Sequence, residues 1–154
     1  MFVLASLAML TGCQKGDDRD LPATVEASGV VTLDGQPVEG ASVVFIPSDG
    51  GQYPAQGLTD SSGRFSLQAF EEKSGAVPGK YAVQVSKTVT VDAQGNEVPP
   101  PEVDESSHDT GNSNVHYVNK LPKKYASMAT SGLEVEIPAE GISDIKLELV
   151  SDGQ

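Results

Sequence analysis

The chain alternates short runs of period two with turns rich in glycine and proline, and this rhythm restricts it to an all-β architecture. Asp34-Gly35-Gln36-Pro37, Asp60-Ser61-Ser62-Gly63 and Pro78-Gly79 are the clearest turns. Glycine accepts positive φ and aspartate caps its own turn, so each reads as a chain reversal. Strands are predicted over 25–33, 41–46, 56–59, 64–68 and 81–91, then over 133–137 and 145–149. Phe65 and Leu67 alternate with Arg64, Ser66 and Gln68, and Ile145, Leu147 and Leu149 with Lys146 and Glu148. The same holds for Leu133, Val135 and Ile137 against Glu134 and Glu136. Such alternation gives each strand one buried and one wet face. The 41–46 run is almost wholly apolar, as a strand buried between layers requires. In 81–91, Tyr81, Val83, Val85, Val89 and Val91 share a face that Lys87 interrupts. About seven short strands with turns between them predict a β-sandwich. One helical turn fits 122–128, with Pro122 at an early position.

The segment 92–116 breaks the rhythm. It holds Pro99, Pro100 and Pro101, six carboxylates and no Lys or Arg. Few of its residues are apolar and none recur with a period. A loop this long inside a compact domain is functional or disordered, and its composition predicts a flexible insert.

Composition narrows the partners. The chain has 154 residues and a formal net charge of −12. Nucleic acid demands Lys and Arg to neutralise phosphates, so no nucleic-acid partner is expected. Tryptophan is absent and aromatics make up 5% of the chain, so the core is aliphatic. Cys13 is the sole cysteine, which leaves no intramolecular disulfide. Stability must come from packing.

Cys13 closes the run Leu10-Thr11-Gly12-Cys13, directly after an apolar stretch from residue 2 to residue 10. That stretch is too short to span a bilayer, which takes about 20 apolar residues. It suits the apolar region of a signal peptide, although no Lys or Arg precedes Lys15. The pattern resembles the lipobox of bacterial lipoproteins. That resemblance implies that residues 1–12 are a signal peptide, that the Cys13 thiol is acylated, and that Cys13 becomes the first mature residue. Residues 13–24, with Asp17, Asp18, Arg19 and Asp20, then form a polar tether to a domain over 25–150. The implied location is the cell envelope, on the periplasmic side or at the outer membrane, with the membrane held through the lipid.

A second resemblance concerns the fold. The run from Gly29 through Leu33-Asp34-Gly35-Gln36-Pro37-Val38-Glu39-Gly40-Ala41 is followed by Phe45-Ile46-Pro47 and then by Thr59-Asp60-Ser61-Ser62-Gly63-Arg64-Phe65. Further on come Ala76-Val77-Pro78-Gly79-Lys80-Tyr81, Leu121-Pro122-Lys123-Lys124-Tyr125 and Thr130-Ser131-Gly132-Leu133. These stretches resemble the carboxypeptidase regulatory-like domain, a transthyretin-like sandwich of Greek-key, immunoglobulin-like type. With the lipobox, the chain is similar to small lipoproteins of planctomycete-type bacteria that carry such a domain. The resemblance implies an adhesion, accessory or structural module outside the cytoplasm.

The residues themselves offer little chemistry. A nucleophile requires a base beside it, no Gly-x-Ser-x-Gly occurs, and both histidines, His108 and His116, fall in the 92–116 segment. No catalytic set and no cofactor are therefore expected. Asp104, Glu105, His108 and Asp109 offer oxygen and nitrogen ligands. They match neither the spacing of a zinc site nor the alternating carboxylates of a calcium loop, and are weak metal candidates that read as a solvated acidic loop. Lys120, Lys123 and Lys124 form one basic cluster beside Tyr117 and Tyr125. It can face the acidic insert or an anionic glycan, or consist of ordinary surface lysines. The leading expectation is a non-enzymatic, lipid-anchored envelope module with an envelope protein or glycan as partner. The alternative is a ligand-binding module for carbohydrate or calcium, for which four tyrosines and no tryptophan supply thin aromatic material.

Overall fold

The computed structural model describes residues 21–100 and 115–152. In chain order the strands are β1 (Ala27–Leu33), β2 (Gln36–Pro37), β3 (Ser42–Pro47), β4 (Ala55–Leu58), β5 (Arg64–Ser66), β6 (Gln68–Phe70) and β7 (Lys73–Ser74). There follow β8 (Gly79–Ser86), β9 (Thr88–Val91), β10 (Glu97–Val98), β11 (His116–Asn119), β12 (Leu133–Ile137) and β13 (Ile142–Leu149). Between β11 and β12 lie one 3-10 turn, Lys123–Ala126, and a four-residue helix, α1 (Met128–Ser131). The all-β expectation holds.

Three sheets form. In the first, β1 is central: β13 runs parallel along one side, while β2 and β5 pair antiparallel with different stretches of the other. The second runs β12-β8-β3-β4-β6-β7, and the third β10-β9-β11, with antiparallel pairings throughout both. The β1–β2 reversal has φ of 49° at Asp34 and 81° at Gly35. Two successive positive φ values match the twist of a tight hairpin.

The first and second sheets enclose one aliphatic core. Val31, Ile145, Leu147 and Leu149 enter it from the first, and Val43, Phe45, Val83, Val85 and Ile137 from the second. Phe45 links the layers, with ring centroids 6.1 Å from Phe65 and 5.8 Å from Tyr81. Lys146, Glu148, Glu134 and Glu136 stay exposed between buried or half-buried neighbours, as the alternation requires. The arrangement is sandwich-like.

Three expectations change. The predicted 64–68 strand is two strands that meet at Leu67: β5 pairs with β1, whereas β6 pairs with β4 in the other sheet. At the crossover, the Leu67 N–H donates to the Ala27 carbonyl at 2.8 Å, and the Leu67 carbonyl accepts from Gly75 N–H at 2.7 Å. The predicted 81–91 strand breaks at Lys87. There the Lys87 N–H donates to Asn119 Oδ1 at 3.1 Å, and its carbonyl accepts from Lys120 N–H at 2.8 Å. Beyond the break the side-chain phase slips, so Thr90 and Val91 are both buried and Val89 only half-buried. Finally, the 92–116 segment is ordered at both ends, since β10 and the first residue of β11 pair with β9. A carboxylate explains the first of these. Asp92 Oδ1 accepts from the N–H groups of Gln94 and Asn96 at 2.9 Å each, which closes the β9–β10 hairpin.

Candidate functional site

An open groove of about 760 Å3 lies on the outer face of the first sheet. Register builds it. Val30 of β1 stands opposite Lys146 of β13 on one side and Arg64 of β5 on the other, so Arg64, Val30 and Lys146 form a row across three strands. The neighbouring row pairs Ser28 with Ser66. Between the rows, Gly29 lets β1 and β13 approach closely. A Cβ there would lie 2.2 Å from the Ile145 carbonyl oxygen, which no side chain tolerates. Leu58, at the end of β4, forms the rim and is 68% exposed.

The Asp60–Arg64 turn fixes the β5 end of the groove. Asp60 Oδ1 accepts from the Ser62 hydroxyl at 2.7 Å, the Ser62 N–H at 2.8 Å and the Arg64 N–H at 2.9 Å. The Ser62 hydroxyl first, then the Arg64 N–H, hold this carboxyl below its ordinary range. A second hollow of about 330 Å3 adjoins the first and shares Leu58 and Ser66 with it. Gln56, Gln68 and Ser42 line its far side.

Chemically, this is a surface of hydroxyls, amides and balanced charges. The described histidine, His116, sits in β11 of the third sheet and lines neither hollow. Such a face can hydrogen-bond and pack shallowly against a partner.

Cys13 and the weak metal candidates Asp104, Glu105, His108 and Asp109 lie outside the described residues. Among the described residues no three His, Cys, Asp or Glu side chains converge to hold a metal ion. No helix among them is long and apolar enough to cross a membrane. The lysine cluster is divided. Lys120 Nζ pairs with Glu97 of the acidic segment at 2.8 Å, while Lys124 Nζ pairs with Asp152 at 2.7 Å and lies 5.0 Å from the Tyr125 ring centroid.

Sequence reasoning placed Arg64, Ser66 and Lys146 on wet faces without bringing them together. The face they share depends on which strands are neighbours, and local periodicity carries no trace of that. Leu58 left a signal, as a large apolar residue two positions before the Asp60–Gly63 turn.

Fold and groove thus define a small all-β module with an open polar face. Over residues 27–115 the chain matches the family described as a domain of unknown function, DUF6795, and it belongs to that family. The match starts with β1 and runs past β10. Neither the characterised proteins nor the solved structures compared with the chain gave a match.

Proposed function

We propose that this protein is a lipid-anchored, non-catalytic module of the cell envelope that serves in adhesion or as an accessory or structural component. The body is read as a transthyretin-like sandwich of the carboxypeptidase regulatory-like type, with the lipoprotein affinity drawn from the sequence. Cys13 carries the lipid, residues 1–12 are removed, and residues 13–24 tether the body. Each buried CH₂ contributes about 0.8 kcal/mol and a single chain holds only marginally, so a multiply acylated cysteine is the anchor that suits a permanent surface protein.

The observation that supports this best is the character of the groove. It is broad and open, it is walled by paired strands, and no histidine is among the described residues that line it. A face of this kind suits contact with a partner rather than bond making, which requires a base held beside a nucleophile. Replacing Cys13 tests the anchoring. Cys13→Ser is expected to abolish incorporation of radiolabelled palmitate and to release the protein from the membrane fraction. Labelling equal to that of the parent chain would refute the anchor.

A further inference from the structure

We infer that the paired hollows on either side of Leu58 form one trench that binds an uncharged, hydroxyl-rich polymer, a neutral polysaccharide chain. The inference rests on the proposed role as a surface module and gives that role a ligand class.

Charge is the first argument. The chain carries −12 overall, yet the ionisable groups of the larger hollow are two cations, Arg64 and Lys146, and two carboxylates, Asp60 and Asp144. The smaller hollow has none. A polyanion would meet the repulsive field of the whole molecule without gaining a net cationic site. A polycation would find no carboxylate excess in the trench. A neutral chain brings no charge of its own into the trench, so binding adds none to be buried unpaired.

The second argument is donor and acceptor chemistry. Serine hydroxyls and glutamine amides both donate and accept, which matches the dual character of sugar hydroxyls. Ser28, Ser66, Ser42 and Gln56 provide such groups along both hollows. Most of the backbone there is already committed: β1 pairs with β5 and β13, β4 pairs with β3, and on the outer edge of β5 the Arg64 N–H and carbonyl are taken by Asp60. A peptide adding itself as a strand needs free backbone groups at a sheet edge, and the trench runs over side chains instead. A linear sugar chain has no such need.

Shape is the third. The two hollows share Leu58 and Ser66, so the trench is longer than either alone and suits an extended polymer. Leu58, 68% exposed at the junction, presents an apolar knob to the C–H face of a ring. It takes the place of an aromatic platform in a chain without tryptophan.

The test is an array of immobilised neutral and acidic oligosaccharides, with poly-L-glutamate and poly-L-lysine spots, probed with the purified full-length chain at physiological salt. The expected result is binding to at least one neutral glycan. Leu58→Asp should weaken it about tenfold with no change in melting temperature, because Leu58 lies outside the core. Ser66→Trp, which fills the trench from an exposed strand position, should weaken it as well. Signal on acidic glycans or on the polypeptides alone, signal unmoved by both variants, or no signal at all would overturn the inference. The array does not depend on acylation of Cys13, so a failed anchor and a failed trench are told apart.

Discussion

The sandwich body and the β9–β11 arm share one chain but are held by different forces. In the body, Val31, Val43, Phe45, Val83 and Val85 are completely buried, and the sheets exist to cover them. In the arm, Val91 is buried but Tyr117 and Val118 stay exposed, and polar links fix the turns. Asp92 closes one end, Asn119 stitches the other to Lys87, and Lys120 spans to Glu97. Apolar burial imprints a period on the sequence, whereas a single carboxylate or amide at a turn does not. The body is accordingly legible in advance and the arm is not.

The sharpest way to break this contrast is to empty the body. Phe45→Ala removes the ring that bridges the layers and is expected to cost about 3–5 kcal/mol in urea unfolding. A loss below about 1 kcal/mol would mean that the sheets do not depend on a shared core.

The counterpart in the arm is Asn119→Ala. Asn119 Oδ1 accepts from Lys87 N–H and Leu121 N–H, each at 3.1 Å. Losing both is expected to cost about 1–2 kcal/mol. The loss should be local, with faster amide exchange in β9 and β11 and unchanged protection in β3 and β8. Uniform acceleration across the domain would erase the distinction between the regions.

The smallest effect sharpens it. Asp60 in the body and Asp92 in the arm are both held below the ordinary carboxyl value of 3.8, chiefly by the Ser62 hydroxyl and the Asn96 side-chain amide respectively. A carboxyl lowered on folding contributes stability that is fully present above its unfolded value and is lost as pH falls through its native one. Melting temperature is expected to drop below pH 3.8 in the parent, and less steeply in Asp60→Asn and Asp92→Asn. The two variants should also differ. Asp60→Asn should change the melting of the whole body, whereas Asp92→Asn should alter mainly the titration of the Gln94 and Asn96 amide resonances. Identical acid profiles in all three proteins would show that neither carboxylate secures its turn.

What the sequence revealed follows the same division. Residues 133–137 and 145–149 could be assigned to strands with their buried faces because every second side chain is apolar. The turns at Asp34-Gly35 and Asp60–Gly63 could be assigned because their residue types leave few conformations open. The two-residue strands β2, β7 and β10 are too short to show a period. The crossover at Leu67 and the break at Lys87 are decided by partners far along the chain, Ala27 and Asn119. The groove was hidden for the same reason. Arg64 and Lys146 are 82 positions apart in the chain and meet only because β1 lies between their strands.

The proposed surface role turns on Cys13. Intact-mass spectrometry of the protein extracted from membranes of cells that make it tests this most directly. The expected species begins at Cys13, lacks residues 1–12 and carries the added mass of acyl chains. An unacylated polypeptide that retains Met1 and is recovered from the cytosol would contradict it.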